Sequence, residues 1–354
     1  MLDAFEAACP SYTVEFEVIA GTYPEQMFNR LGNQDATDLF YVQQGYAQDW
    51  IDQGVLQPLD DRLSESGFDL SPFYEGYLAP FQQEGQTFAI PKDSSVLGMQ
   101  TNDEMLANAD VEVPTTIEEL EAAANALKTA GVETPMCFAA EYARAGAFLH
   151  AYGGGMLSED RSAPLIDSSE SRAGLEWYLR MHQEDLAQNP PTIGVDWCGQ
   201  AFGEERVAIA FEGNWIGAAM AENYPDVDYT VSAVPTGAEQ ATLSFTAAYG
   251  YSPDSPNPDG SWALLSYLTG QAGMQEWVNG GLVLPARSDV DVQDEQLQLY
   301  APFAEFAFAG EGLLPGWTAI QNAFNGALLS AADGGTADDV INATLPAVQA
   351  AIEQ

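Results

Sequence analysis

The sequence predicts an α/β fold arranged as two domains or two lobes. Three observations carry this. A chain of 354 residues is too long for one small core. Its N-terminal part alternates strand-like and helix-like segments, the pattern of an α/β class. Finally, Val207–Gly217, VAIAFEGNWIG, reads as a short buried strand broken by Gly213 and Asn214, with Trp215 at the start of a helix. In open α/β architectures ligands lie at the carboxyl ends of strands, which would turn Trp215 toward a cleft. The competing reading is a core Trp that closes a strand–helix corner.

In chain order, Met1–Glu6 reads as an amphipathic helix, Tyr12–Ala20 as an alternating strand and Pro24–Leu31 as a short helix. Asp38–Val42 is a buried strand that delivers Gln43 and Gln44 at its end, and Ala47–Gln53 is a helix stopped by Gly54. Glu84–Pro91 holds a turn and short strand, followed by Lys92-Asp93 and the apolar Val96–Met99. Pro114, Thr115-Thr116 and Glu118-Glu119 mark a capped helix start, and that helix runs to Ala130 before Gly131. A strand at Met136–Ala140 leads into a helix from Tyr142 to Tyr152, and a further helix spans Ser169–His182. Tyr229–Val234 is a strand, and Phe245–Tyr251 leads into the linker-like SPDSPNP. Helices follow at Gly260–Leu268 and Gln271–Val278. From Glu295 onward the chain is helical, with breaks at Pro302, Gly310–Gly316 and Gly334-Gly335.

The charge is extreme. Ten Lys+Arg stand against 53 Asp+Glu, a formal −43, and the only lysines are Lys92 and Lys128. With no basic surface the chain is not expected to bind nucleic acid or an anionic membrane. Scattered carboxylates with few lysines suit a protein working in high salt, where screening removes self-repulsion, the alternative being an ordinary acidic secreted protein. No apolar run is long enough to span a bilayer. Cys9, Cys137 and Cys198 form no CxxC motif or Cys/His cluster, so no metal site is expected, and no motif calls for a cofactor. Cys137 and Cys198 are either one disulfide of an exported protein or two buried thiols. The first residues carry no signal segment.

Several segments taken together resemble the extracellular solute-binding proteins of carbohydrate ABC importers, the family that includes the maltose-binding proteins. FEAACPSY looks like the family's helix ending in Pro before its second strand. DLFYVQQGYAQDWIDQGVLQPLDD is similar to its strand followed by G-x-L-x-P-L-D, and EGQTFAIPKD to its G-K-x-Y-x-I-P turn. VPTTIEELEAAANAL matches its P-x-T-W-x-E helix start, with Ile117 where the family has an aromatic. VAIAFEGNWI matches A-M-x-x-x-G-x-W, SPDSPNPDGSWALLSYLTGQAGMQEWV its S-K-N-P-E helix pair, and GLVLPARSDV its P-x-R turn. The motifs occur in the family's order over nearly the whole chain. The family's opening strand has no counterpart here, which, with the missing signal, implies an upstream truncation.

The resemblance implies a type II periplasmic-binding-protein fold, with two α/β lobes joined by a hinge and the ligand between them. The N-terminal lobe would hold residues 1–102 plus 252–292 and the C-terminal lobe 104–251 plus 293–354, with crossings near 103, 251 and 293. It further implies a monomer, extracellular or periplasmic, that closes on a mono- or oligosaccharide and delivers it to transmembrane permease subunits.

Sugar recognition needs flat aromatic faces for C–H surfaces and fixed carboxylate, amide or guanidinium groups for hydroxyls. Trp215 is the leading aromatic. Gln43 and Gln44 are amide candidates, or else solvated loop residues. Asp93, after the Ile-Pro turn, would accept from hydroxyls or cap the turn. Glu141 and Tyr142 follow the Met136–Ala140 strand. Tyr249 is a stacking residue or core, and Trp317 matches an aromatic that the family places in its C-terminal helices. Arg287, in a Pro-Ala-Arg turn, binds ligand or pairs with a carboxylate. Two alternatives to the sugar importer are a glycoside hydrolase using a carboxylate pair and a same-fold binder of another solute, such as a polyamine. No phosphate loop or GxSxG elbow supports an enzyme.

Overall fold

The computed structural model describes residues 1–19, 23–310, 312 and 314–353. It divides into two compact units. The first comprises Met1–Ser94, Phe245–Gln293 and Glu311–Trp317, and the second Ser95–Ser244, Asp294–Gly310 and Thr318–Gln354. The described strands are β1 (Phe40–Gln43), β2 (Gln82–Gln83), β3 (Gln86–Thr87), β4 (Ile90–Asn102), β5 (Met136–Cys137), β6 (Ala187–Gln188), β7 (Ile209–Gly213), β8 (Tyr229–Ser232), β9 (Thr242–Gly250) and β10 (Ala307–Ala309). The chain passes from one unit to the other inside β4, after Ser94, and inside β9, after Ser244, rather than near 103 and 251. Both strands continue unbroken across those points, so residue patterning gives no sign of the crossing. Residues 312 and 314–317, read as part of the second lobe, belong to the first unit.

In the first unit β1 pairs antiparallel with the second half of β9, Tyr41 opposite Tyr249 and Gln43 opposite Ala247. Because strand side chains alternate, Phe40 and Val42 turn into the core while Tyr41 and Gln43 share the opposite face. The core behind them gathers Phe40, Val42, Trp50, Leu56 and Phe81, with Met27 and Leu31 from the helix Tyr23–Gly32. A second apolar cluster joins Ile90, Trp262, Leu265, Met274 and Val278, placed by the helices Pro258–Thr269 and Gln271–Val278.

In the second unit β4 runs antiparallel to β7 on one side and to β8 on the other, and β5 runs parallel to both β7 and β6. The core is aromatic. Phe138 stacks on Tyr178 at 4.7 Å and meets Phe148 and Phe211 edgewise or tilted at 5.2 Å. Full burial of each such ring stabilises by roughly 2–3 kcal/mol. The predicted helix start at Thr116 is a capping box, in which Thr116 Oγ1 accepts from the Glu119 N–H and the Glu119 carboxylate accepts from the Thr116 N–H. Cys137 and Cys198 are joined as a disulfide with Cα atoms 5.4 Å apart, and Cys9 is free.

One expected strand is absent. Tyr12–Ile19 has the alternation of a strand but pairs with nothing in a ladder, and Phe16 and Val18 stand 74% and 76% exposed. Periodicity gives a segment its two faces, whereas a strand also needs a neighbour to take its backbone N–H and C=O groups. Here the Val14 N–H goes to Glu6, and Glu17 to Arg30. Ala20, the end of that expected strand, lies outside the described residues, as do Glu311 and Leu313 in the expected Gly310–Gly316 break.

Candidate functional site

The second unit builds a platform where two parallel strands end. Parallel pairing of Met136 with Ile209 and Cys137 with Ala210 points the carboxyl ends of β5 and β7 the same way, with that of β7 three residues further on. From β5 the chain runs through Glu141 into the helix Tyr142–Ala151. From β7 it turns at Gly213-Asn214 into the helix Ile216–Asn223, with Trp215 as its N-cap. Asn214 holds the turn by accepting from the Val96 N–H at 3.1 Å. The Trp215 ring folds back over Gly213, where a Cβ would lie 2.1 Å from the ring, so no larger residue fits beneath it.

Trp215 Nε1–H donates to Glu212 Oε2 at 2.9 Å, and Arg144 Nη2 donates to the same oxygen at 2.7 Å. The guanidinium carbon sits 5.4 Å from the indole centroid, and Arg144 also pairs with Glu141 at 3.2 Å. Glu212 is only 1% exposed. Its backbone is clamped by Gln100, which donates to its carbonyl and accepts from its N–H, each at 3.0 Å, and which Tyr300 holds in turn at 2.8 Å. Burial pushes the Glu212 carboxyl above its ordinary value, against the opposing pull of Arg144 and the indole N–H. Burial alone would depress the Arg144 guanidinium, but Glu212 and Glu141 reverse this and leave it raised.

The first unit has its own platform. Lys92 Nζ pairs with Asp93 Oδ2, which also accepts from Trp277 Nε1–H at 3.1 Å. The ammonium lies 4.8 Å from the Tyr41 ring centroid and 4.7 Å from that of Trp277, and Tyr41 packs on Tyr249 at 5.2 Å. The Asp93 carbonyl accepts from Thr246 Oγ1 at 2.7 Å, fixing β4 to β9 at this point. Burial drives the Tyr249 phenol well above its usual range, so it stays a neutral hydroxyl.

Of the residues singled out from sequence, Trp215 and Glu141 meet on the second unit's platform, through Arg144. Asp93 and Tyr249 belong to the first unit's platform, and exposed Gln43 shares the β1 face of Tyr41. Four others turn inward. Gln44, 3% exposed, accepts the Thr246 N–H at 3.0 Å because the helix Gln44–Asp52 begins there and rotates it away from Gln43. Tyr142, 2% exposed, packs edge-on against Phe324, since one residue along a new helix turns the side chain by ~100° from Glu141. Trp317 is 3% exposed at the head of the helix Trp317–Ala332. Arg287 grips Asp289 through two bonds of 2.8 and 2.7 Å and lies over Phe73, bracing its own turn.

Sequence reasoning passed over Lys92, Tyr41, Trp277, Arg144 and Glu212. The available signal was scarcity, since in a chain with ten cations a buried one is conspicuous. Two surface depressions of about 630 and 510 Å³ in the second unit share no residue with its platform and carry no aromatic. Among the described residues no group of three His, Cys, Asp or Glu could hold a metal ion, and no helix is long and apolar enough to cross a membrane.

Two α/β units, each with an aromatic–carboxylate platform, define a solute-binding protein architecture. The family model for bacterial extracellular solute-binding proteins matches residues 1–275, and the chain belongs to that family. Solved structures share its fold. An ABC substrate-binding protein of Listeria monocytogenes, in complex with cycloalternan, matches with a TM-score of 0.88 at 18% identity, over 99% of this chain and 94% of that one. The GacH receptor of Streptomyces glaucescens, solved unliganded and with acarbose, matches at 0.87 and 22%, over 99% and 92%. Maltose-bound MalE3 of T. maritima matches at 0.82 and 16%, over 98% and 94%.

Proposed function

We propose that this protein is the monomeric, extracellular or periplasmic substrate-binding component of an ABC importer, capturing a mono- or oligosaccharide for membrane permease subunits. The observation that carries the reading is Trp215, an indole fixed through its N–H with carboxylate and guanidinium groups around it. A pyranose offers C–H faces to such a ring and paired hydroxyls to Glu141 and Arg144. In the first unit Tyr41, Trp277, Asp93 and Gln43 offer the same two kinds of contact. The ligands named for the similar structures, cycloalternan, acarbose and maltose, support this.

Charge pairing argues against the alternatives. A polyamine site would present unpaired carboxylates, whereas Asp93 is neutralised by Lys92, and Glu212 and Glu141 share Arg144. A hydrolase would need a carboxyl able to reach a glycosidic oxygen, and Glu212 is buried under two hydrogen bonds. The disulfide fits an oxidising compartment.

The test is a thermal-shift screen at high salt against common mono- and disaccharides and polyamines, with product analysis of every hit. An upward shift with a sugar recovered intact is expected. Cleaved sugar would move the reading to a hydrolase, and a shift with polyamines alone would move it to a cation binder.

A further inference from the structure

The two platforms repeat one constellation of indole, carboxylate and cation. In the second unit a single oxygen, Glu212 Oε2, accepts from both the Trp215 indole N–H and the Arg144 guanidinium, which lies over the indole. In the first unit a single oxygen, Asp93 Oδ2, accepts from both the Trp277 indole N–H and the Lys92 ammonium, which lies over that indole. The elements that supply the parts differ. Trp215 caps a helix after a strand, while Trp277 sits within the helix Gln271–Val278; Arg144 comes from a helix and Lys92 from a strand. The recurrence is therefore one of geometry and not of local sequence.

A third indole supplies the contrast. Trp177 donates to Glu121 Oε2 at 3.1 Å, and Arg180 pairs with the same carboxylate. There the indole is core, 3% exposed and packed on Phe148 at 5.0 Å, while the ion pair is at the surface, with Arg180 41% and Glu121 30% exposed. That arrangement is what stability alone favours, with apolar ring inside and charges in water. The platforms invert it. The Arg144–Glu212 side chains are 13% and 2% exposed and those of Lys92–Asp93 9% and 8%, whereas both indoles remain partly exposed. Burying an ion pair beneath a ring left at the surface gains little stability, since an apolar pair of similar volume would serve as well. What it does supply is a fixed ring plane, because N–H bonding to a buried carboxylate and a cation against one face hold the indole in one pose.

We infer that Trp277 is a second ligand-stacking residue, and that Lys92–Asp93 positions its ring as Arg144–Glu212 positions that of Trp215. The stacking half rests on the sugar-binding reading; the positioning half does not. The experiment is ¹⁵N–¹H spectroscopy of the seven tryptophan indoles, assigned by single Trp→Phe replacements, on the wild type and on Asp93→Asn, Lys92→Met and Glu121→Gln. Without ligand, Asp93→Asn and Lys92→Met should each move and broaden the Trp277 signal, while Glu121→Gln should move only that of Trp177. An unmoved Trp277 signal in both of the first two variants overturns positioning, whether or not any sugar binds. In the wild type, the sugar found by thermal shift should perturb the Trp277 signal as well as that of Trp215, and Trp277→Phe should weaken binding about tenfold. A sugar that binds and perturbs Trp215 while leaving Trp277 unmoved overturns the stacking role and leaves the function standing. If no sugar perturbs any indole, the sugar reading and the stacking role fall together.

Discussion

The two units carry the same indole–carboxylate–cation arrangement on differently built supports. In the second unit the indole sits at a strand end whose backbone is clamped by Gln100, in a domain that also holds the disulfide and both histidines. In the first unit the indole rides on the helix Gln271–Val278, no disulfide is present among the described residues, and Cys9 is free. The difference separates two properties that are easily conflated. Ring orientation is set locally by a buried ion pair, whereas resistance to unfolding is set by cross-links and core packing, and these need not go together.

The largest expected effect tests that separation directly. Replacing Cys137 and Cys198 by Ser removes a cross-link spanning 61 residues and should cost about 4 kcal/mol through the entropy of the unfolded chain. Hydrogen exchange should show protection lost in the second unit and kept in the first. Equal loss in both would mean that the units unfold as one block.

Acid should act on the same side. Burial holds His150 and His182 down to about 4. The unfolded chain, with an imidazole near 6.5, binds protons that the folded chain refuses. Each histidine thus contributes stability that is complete above about pH 6.5 and disappears as pH falls toward 4, roughly 3 kcal/mol apiece. His182→Phe should flatten the stability-versus-pH curve of the second unit over that interval, as denaturant titrations at several pH values would show.

Smaller in energy but closer to function, Trp215→Ala should weaken sugar binding about a hundredfold by calorimetry, with little change in Tm. Gly213→Ala should weaken it about tenfold, because the new methyl displaces the ring lying 2.1 Å from it. If Gly213→Ala binds normally, the ring pose in the second unit is not what selects the ligand.

The smallest expected contrast between the units is with salt. The whole chain carries −43, so both units should gain stability as the Debye length shrinks from about 10 Å at 0.1 M to about 3 Å at 1 M. Thermal unfolding at increasing NaCl measures this, and a falling Tm would remove the high-salt reading.

Much of the architecture was written in local pattern. The helix Gln271–Val278 was legible to the residue, the Thr116 start from its capping residues, and the strand–turn–helix around Trp215 from apolar alternation broken by Gly213-Asn214. Such features depend on neighbours within a few residues, so the sequence by itself determined them, along with the acidic surface and the absence of basic character. Tertiary structure alone decided the rest. Whether Tyr12–Ile19 pairs depends on a strand partner, and whether Glu141 or adjacent Tyr142 faces outward depends on where a helix begins. Asp93 meets Trp277 across 184 residues, and Arg144 meets Glu212 across 68. No spacing rule reaches that far. These pairs form only when the folded backbone brings the partners together and excludes the water that would otherwise solvate each charge on its own.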